Sequence, residues 1–374
     1  MMSPRRATLA VLAAVALLCA GCGAARGEDV LTVGIIAPLS GALAEDGTAY
    51  TNAAKAALAE GERALGRRIE VIVYDEASRT GEAINGTRRL LQRDRAHALL
   101  SSSTSGNFLA TRQLIDRAQV PVLTIATATT VVKNNAGWTF RVSQPLADRN
   151  RDNAAFAVAQ LKARTAAFLQ TNDESQRAFA ADVGAQLRSA GVNVVSEQYF
   201  QYGDTDFSPY LQRLRASAPE VVFLGCEVTQ CATILDQSRA AGVSTNFVLP
   251  TAAASEEFLH QFGAVAEGAY AQTIYAPGAT PATAGFERLA TANGFPASYY
   301  SMVGYVEAHA LLAAVRQAGS LDPQAIRRAL ATGGFDSPLG PIRFRPDGQA
   351  VVRGYVAQIT GSHYRYFWAP SAPG

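Results

Sequence analysis

Two loops rich in serine and threonine carry side chains that could bind a carboxylate. They cover residues 101–106 and 124–130, and each follows a short apolar run that predicts a buried strand. Residues 108–118 between them have the apolar spacing of a helix, and Ser105 stands where that helix would begin. A hydroxyl, backbone N–H groups and the positive end of a helix dipole together suit a carboxylate. Two ordinary capped turns would have the same composition, so both interpretations stay open.

Strands and helices alternate around these loops. The alternation begins near residue 31 and starts again after residue 148, which predicts two parallel sheets with helices on both faces. In such sheets ligands bind at the carboxyl ends of neighbouring strands, where both polar loops lie. Three later helices are predicted over residues 281–293, 299–318 and 322–332. Residues 342–345 and 351–359 then predict two strands joined by a turn.

The composition is that of an ordinary globular protein, with 48% hydrophobic and 17% charged residues in a chain of 374. This length predicts two domains. The formal net charge of +2 falls to zero when residues 1–21 are removed, so the mature chain offers no electrostatic case for binding nucleic acid. No later apolar run in the sequence is long enough to predict a transmembrane helix.

The N terminus has the organisation of a secretory signal peptide. Arg5 and Arg6 precede an apolar stretch, residues 7–18, that is too short to span a bilayer stably. The segment resembles a bacterial lipoprotein signal, in which a cysteine is lipidated and becomes the mature N terminus, and Cys22 fits that role. We therefore expect an exported protein, periplasmic or at the cell surface, with a lipid anchor. A metal or redox pair of Cys19 and Cys22 is disfavoured by the apolar leader.

Two further cysteines, Cys226 and Cys231, remain in the mature chain. An oxidising compartment permits a disulfide, and the spacing could close a small loop between a strand and a helix. Two buried thiols are the alternative, since spacing alone does not establish the geometry. The disulfide is the favoured interpretation.

A series of short motifs makes the chain resemble the leucine/isoleucine/valine-binding proteins, the periplasmic receptors of branched-chain amino acid ABC transporters. The resemblance covers nearly the whole mature chain, and its motifs follow in the family's order. They are residues 33–41 with Gly47, Tyr74-Asp75, residues 104–106, Val120-Pro121, Phe140-Arg141, residues 206–208 and 219–222, Tyr300 with Tyr305, Gly340-Pro341 and Asp347-Gly348.

The resemblance implies a type I periplasmic binding fold: α/β, with two doubly wound parallel-sheet lobes joined by a three-crossover hinge. After the signal peptide of residues 1–21, it implies an N-terminal lobe of 29–144 plus 278–346 and a C-terminal lobe of 145–277 plus 347–374. It places the hinge crossings near Ser143, Pro277 and Pro346. A ligand in the cleft between the lobes would close this hinge.

The family's carboxylate site carries over to this sequence with one irregularity. The serine that holds the ligand's carboxylate corresponds to Ser105. The second loop, which supplies a backbone carbonyl and a threonine, corresponds to residues 126–129, beginning at Ala126. A direct count places Ala128 at the threonine position, so Thr127 or Thr129 would have to serve.

Four other pocket positions depart from the family's chemistry. An aromatic residue becomes Asp46, two tyrosine positions fall near Arg177 and on Glu227, and the acidic residue that pairs with the ligand's ammonium falls on Thr251. A buried ammonium needs an anionic or multi-acceptor partner. Either Glu227 or Asp46 takes that role, or the ligand has no ammonium. Each of these charges could also be an ordinary solvated loop charge.

The resemblance thus implies a solute-binding lipoprotein of an ABC importer that captures a small polar ligand, either an amino acid or a related carboxylate or amide. The expected partners are that ligand, a transporter permease and the membrane that holds the anchor. We expect a monomer with no cofactor, metal or nucleic acid. A ligand sensor or envelope regulator on the same fold is the alternative. An enzyme is disfavoured, because His97, His260, His309 and His363 show no metal-ligand spacing and no Gly-x-Ser-x-Gly motif occurs.

Overall fold

The computed structural model describes residues 30–41, 43–133 and 135–369. The predicted signal peptide of residues 1–21 and the predicted lipidation site, Cys22, lie outside the described residues. Among the helices it describes, none is both long and apolar enough to cross a membrane.

Strands and helices alternate through most of the chain. The strands are β1 (Val30–Ala37), β2 (Arg68–Asp75), β3 (Ala98–Ser101), β4 (Val122–Thr124), β5 (Thr139–Arg141), β6 (Thr165–Thr171), β7 (Asn193–Phe200), β8 (Val221–Gly225), β9 (Asn246–Leu249), β10 (Tyr270–Thr273), β11 (Gly334–Phe335), β12 (Ile342–Arg343), β13 (Tyr355–Thr360) and β14 (His363–Trp368). The helices are α1 (Ala44–Leu65), α2 (Thr80–Gln92), α3 (Ser105–Ala118), α4 (Leu146–Ala159), α5 (Glu174–Ser189), α6 (Ser208–Ser217), α7 (Val228–Ala240), α8 (Glu256–Phe262), α9 (Ala284–Asn293), α10 (Tyr299–Ala318) and α11 (Pro323–Thr332).

The strands form two large sheets, each with a hydrophobic core on both faces. The first sheet is parallel throughout, in the order β2-β1-β3-β4-β5. The second has the order β14-β13-β10-β9-β8-β6-β7, with five parallel strands and the antiparallel β13 and β14 at one edge. Separate apolar clusters cover the two faces of each sheet. This arrangement confirms the doubly wound α/β architecture expected from the sequence.

The chain passes between the two sheets three times, as the expected fold requires. It leaves the first sheet after β5, returns after β10 through α9, α10 and α11, and crosses again between β12 and β13. The exact lobe boundaries and hinge positions stay predictions.

The turn predicted between residues 342–345 and 351–359 is confirmed, but the strands on either side of it are shorter than expected. Phe344 and Ala350 form an antiparallel bridge across the turn, and the Val351 N–H donates to the Arg343 carbonyl. The first strand, β12, also pairs with β11, and the second strand begins only at Tyr355, with β13. The intervening turn is held at the edge of the first sheet, because the N–H groups of Arg141 and Ala350 bond to the carbonyls of Gly348 and Arg141. Alternation in the sequence predicts a strand but does not identify its partner.

Helices α1 and α10 pack closely on one face of the first sheet because small residues line their contact. A Cβ at Gly304 would come within 2.4 Å of the backbone oxygen of Tyr50, and a Cβ at Gly61 would lie 2.4 Å from the Leu312 side chain. The alanine-rich sequence of α1 permits this close approach. The first turns of both helices lie at the edge of the cleft described below.

The same contact buries a carboxyl group, that of Glu307, which has no exposed surface. The Tyr50 hydroxyl donates a hydrogen bond to it, and burial raises the pKa of Glu307 well above 4.5, its ordinary value. A carboxyl whose pKa is higher in the folded state contributes stability below its unfolded pKa. That contribution is lost as the pH rises from about 4.5 through the folded pKa.

We expect Glu307→Gln to remove this loss, because an amide stays uncharged. Between pH 5 and pH 8 the wild-type free energy of unfolding should fall, relative to that of the variant, by roughly 1 kcal/mol or more. Urea unfolding at both pH values measures this difference. Glu62→Gln, an exposed change on α1, the helix that carries Tyr50, is the control and should follow the wild type. Parallel pH dependence in wild type and Glu307→Gln would contradict the assignment.

Candidate functional site

The carboxyl ends of strands from both sheets face a common cleft that contains a cavity of about 380 Å³. The first sheet contributes the loops after β3 and β4 and the first turns of α1 and α10. The second contributes the first turns of α4 and α5, residues of β8 and β9, and the loop after β9. This volume lies in the range that is typical of small-molecule sites.

The loop after β3 presents the N terminus of α3 to the cavity. Thr104 caps the helix, since its Oγ1 accepts a hydrogen bond of 3.3 Å from the N–H of Asn107. The N–H groups of Ser105 and Gly106 belong to the first turn and have no acceptor within the helix. Ser105 Oγ accepts a 3.1 Å hydrogen bond from the N–H of Ala128. Its own hydroxyl hydrogen is therefore available to a ligand.

A buried carboxyl group holds this loop from behind. Glu76 has no exposed surface and accepts hydrogen bonds from Ser103 Oγ (2.5 Å) and Asn107 Nδ2 (3.2 Å). Burial raises the pKa of Glu76, while the bonds from Ser103 and Asn107 act in the opposite direction. Because both donors flank Ser105 in the sequence, Glu76 fixes the geometry of the loop that faces the ligand.

The loop after β4 is held by a buried guanidinium. Arg141 is 2% exposed, and its Nη1 donates to the backbone oxygens of Thr127 (2.9 Å) and Ala128 (2.7 Å), while its Nε donates to Gln349. Burial lowers the pKa of Arg141 to about 10. With its carbonyls turned toward Arg141, this loop reaches the cavity at Ala126 and Thr127.

Asp46 is an acidic group of the cavity wall. It lies in the first turn of α1, and the Tyr300 hydroxyl is hydrogen bonded to its carboxylate. Burial raises the pKa of Asp46 to about 6, and the nearby charge of Glu227 acts in the same direction, whereas the bond from Tyr300 opposes them. Asp46 is therefore mostly ionised at neutral pH and takes up a proton as the pH falls toward 6.

Arg149 is a second charged residue of the cavity wall, and the sequence analysis did not identify it. It lies in the first turns of α4 and is partly buried. Burial lowers the pKa of Arg149, whereas Tyr299 and Tyr300 act in the opposite direction. Its side chain makes no hydrogen bond or ion pair with any residue that the structure describes. One sequence signal could have found it, because a cation near a helix N terminus opposes the helix dipole.

The wall from the second sheet is largely apolar. Phe179 and Phe223 pack edge to face with ring centroids 6.2 Å apart, and Leu224 and Val248 extend the same surface. Such a surface gains free energy by covering the apolar body of a ligand. The cleft therefore joins a polar end, formed mainly by the first sheet, to an apolar wall.

Polar groups of the second wall are mostly engaged with one another. The Thr251 hydroxyl donates to the backbone oxygen of Gln272 (3.0 Å). The Gln272 amide donates to Gln144 (2.8 Å), whose own amide donates to Asp152 (2.6 Å). Thr251 thus lies in the cavity wall as a neutral group.

Five of the eight residues predicted to bind the ligand line this cavity. They are Asp46, Ser105, Ala126, Thr127 and Thr251. The backbone of Thr129 begins a short 3-10 helix, and its side chain lies outside the described part of the chain.

The structure does not place Arg177 in the main cavity. Its guanidinium lies 4.0 Å from the centre of the Tyr199 ring and donates to Asn172, and the side chain is exposed. Its neighbour Gln176 lines the cavity instead. A shift of one residue along a helix turns a side chain by about 100°, so a small error in the carry-over moves the assignment away from the cleft.

Glu227 lies in a neighbouring cavity of about 440 Å³ and not in the main one. This second cavity is acidic, since Glu45, Asp46 and Glu257 also line it. A hydrogen bond with Glu257 raises the pKa of Glu45 to about 7, and burial adds to the effect. A protonated Glu45 donates this hydrogen bond from α1 to Glu257 on α8, so the contact weakens as the pH rises above about 7.

Cys226 and Cys231 form a disulfide, with their Cα atoms 5.4 Å apart. It joins the end of β8 to the first turn of α7 and lies beside Glu227 at the second cavity. Elsewhere, no group of three or more histidine, cysteine, aspartate or glutamate side chains within the described residues could hold a metal ion.

Comparisons with known proteins agree with this geometry. A family profile described as "Periplasmic binding protein" matches residues 30–363. An amino acid binding protein from Pseudomonas aeruginosa is 23% identical over 346 residues, which cover 91% of this chain and 92% of the relative. A leucine binding protein from Thermotoga maritima has a similar fold, with a TM-score of 0.79, 22% identity and coverage of 91% of this chain and 99% of that chain.

A solute binding protein of an ABC transporter from R. palustris, in complex with benzoate, is also similar. Its TM-score is 0.77 at 18% identity, and the match covers 91% of this chain and 96% of that chain. Together these similarities confirm the resemblance to the branched-chain amino acid receptors inferred from the sequence.

Proposed function

This chain belongs to the periplasmic binding protein family, and we propose that it is the solute receptor of an ABC importer, capturing a small carboxylate in the cleft between its two sheets. The observation that carries the proposal is the pair of loops after β3 and β4. They direct the N terminus of α3 and the Ser105 hydroxyl into a cavity of small-molecule size. This is a site for an anionic group.

The relatives support a carboxylate as the recognised group. One of the similar structures is a leucine binding protein and another is in complex with benzoate. These two compounds differ in size and shape and in the presence of an ammonium group, but each carries a carboxylate. We infer that Ser105 and the loop at Thr127 bind the carboxylate here, with Asp46 and Thr251 on other parts of the wall.

We further propose that binding closes the cleft. The lobes would comprise 29–144 plus 278–346 and 145–277 plus 347–374, with hinge crossings near Ser143, Pro277 and Pro346. Because both sheets line the cavity, a ligand contacts both lobes and favours the closed arrangement by its difference in affinity for the two states.

Export and anchoring complete the proposed role. A signal peptide of residues 1–21 and lipidation of Cys22 would hold the receptor at the membrane, where it would meet the transporter permease. This part of the proposal rests on the sequence and on the family, whose members are described as periplasmic.

Thermal and chemical unfolding of the mature protein with a panel of metabolites tests the proposal. The panel contains amino acids, their amine-free carboxylates, aromatic acids, amides and ureas. A ligand at one hundred times its dissociation constant should raise the free energy of unfolding by about 2.7 kcal/mol. We expect carboxylates to give this effect. If no compound in the panel stabilises the protein, the receptor function proposed here is wrong.

A further inference from the structure

The cleft contains a cation without a partner. Arg149 lines the main cavity, yet its guanidinium has no hydrogen bond or ion pair among the residues that the structure describes. By contrast, the guanidinium of Arg112 donates to three backbone oxygens. A partly buried charge without a partner is costly, and so an anion from outside the chain would relieve it.

Arg149 and Ser105 line the same cavity from its two sides. Tyr299 is within electrostatic reach of both Arg149 and Arg141. Arg141 is bound to the carbonyls of Thr127 and Ala128, and the Ala128 N–H is bound to Ser105. Tyr299, Arg141 and Ala128 therefore link the Arg149 guanidinium, on the second sheet's side of the cleft, to Ser105 on the first sheet's side.

Among the described residues that line the main cavity, Asp46 is the only acidic partner for a buried ammonium group. Thr251 is neutral, and its hydrogen is already donated to the backbone of Gln272. With a pKa of about 6, Asp46 is mostly ionised at neutral pH, but its carboxylate already accepts a hydrogen bond from Tyr300. An unpaired guanidinium in the same cavity would also repel a second positive charge.

We propose that Arg149 forms the second half of a carboxylate clamp with Ser105, and that this clamp selects amine-free carboxylates with an apolar body. The inference rests on the receptor function proposed above and specifies its ligand class. Closure brings the guanidinium onto the carboxylate held at the N terminus of α3, so the ion pair forms across the cleft. The apolar body lies on Phe179, Phe223 and Leu224.

Matched pairs of ligands test the selectivity by calorimetric titration of the mature protein. The pairs are 3-phenylpropanoate with L-phenylalanine and 4-methylpentanoate with L-leucine, whose members differ only in the ammonium group. We expect the amine-free member of at least one pair to bind ten-fold or more tightly than its amino acid. If the amino acids bind as well as or better than their amine-free analogues, the selectivity inference is overturned while the receptor function stands.

Arg149→Gln tests the clamp itself. Loss of charged hydrogen bonds to the carboxylate should weaken binding of the amine-free ligand by about 10- to 100-fold. Arg151→Gln is the matched control, because Arg151 lies two residues further on the same helix and is paired with Asp148 (2.9 Å) at the surface. It should bind as the wild type does, and Arg149→Lys should retain part of the affinity. Equal affinity of Arg149→Gln and wild type would overturn the clamp.

Titrations with the wider panel distinguish failure of the receptor function from failure of the clamp. If neither these pairs nor any compound of the wider panel binds, both the receptor function and the carboxylate clamp are wrong. If only uncharged amides or ureas bind, the protein remains a receptor, but the clamp is wrong. Urea unfolding of both glutamine variants without ligand establishes that each is folded before its affinity is compared.

Discussion

Replacing Ser105 by aspartate is expected to abolish ligand binding without destabilising the protein. Ser105 is the first residue of α3, where a negative side chain interacts favourably with the helix dipole, by about 0.3 to 1 kcal/mol. The same charge would lie where the ligand's carboxylate binds, and like charges in contact cost several kcal/mol. We therefore expect affinity to fall by more than about 100-fold while the free energy of unfolding stays equal or rises.

Ser208→Asp is the control for this experiment. Ser208 is likewise the first residue of a helix, α6, but it is exposed and does not line the cleft. It receives the same added charge at the same helical position, and ligand affinity should not change. Calorimetric titration gives the affinity and urea unfolding gives the stability. If Ser105→Asp still binds the carboxylate with wild-type affinity, the ligand does not occupy the N terminus of α3.

Replacing Arg141 by methionine is expected to damage both the fold and the site. The change leaves the carbonyls of Thr127 and Ala128 and the side-chain oxygen of Gln349 without their buried donor. An unsatisfied buried polar group costs about 1 to 3 kcal/mol, so we expect the free energy of unfolding to fall by roughly 3 kcal/mol or more. Because the second cleft loop loses its anchor, affinity should also fall by about ten-fold.

Arg112→Met is the control for the effect of burial, because it removes a similar set of hydrogen bonds at a more exposed position. Arg112 also donates to three carbonyls, those of Thr130, Val131 and Lys133, but does so near the surface, where water can replace it. We expect its loss to cost under about 1 kcal/mol. Urea unfolding of the two variants side by side measures the contrast. Equal costs would contradict the view that the buried guanidinium organises the loop after β4.

The part of the site built from single loops could be predicted from the sequence. Ser105 and Thr127 lie in loops that follow apolar runs. Because the carboxyl ends of parallel strands meet at one edge of a sheet, the sequence alone is enough to predict that these two loops lie close together. Asp46 and Thr251 followed from the resemblance, and the structure places both in the cavity wall. The two sheets with helices on both faces likewise follow from a local alternation that needs no knowledge of long-range contacts.

What could not be predicted depends on distant parts of the chain meeting. Arg149 reaches the cleft only because the chain crosses from one sheet to the other just before α4, and Tyr299 and Tyr300 reach it from a helix that packs on α1. The pairing of β12 with β11 is also a tertiary choice. Arg177 shows the limit of transfer by resemblance, since an error of one residue on a helix reverses whether a side chain faces the cleft.

Short elements were missed for a different reason. Helix α8 has seven residues, too few for an apolar period to be recognised, although Ser255 caps it by accepting the N–H of Phe258 (3.1 Å). Its Glu257 nevertheless meets Glu45 across the second cavity. Such contacts depend on helix capping and on tertiary packing, and neither can be predicted from the pattern of apolar residues.

The most direct test of the central claim is a calorimetric titration of the mature protein with the most stabilising carboxylate of the panel and with the matching primary amide. The two ligands have the same shape and differ in charge. An anion site at the N terminus of α3 predicts one molecule of carboxylate bound per chain, with the amide at least ten-fold weaker. Equal affinities for the two would contradict the claim that this cleft recognises a carboxylate.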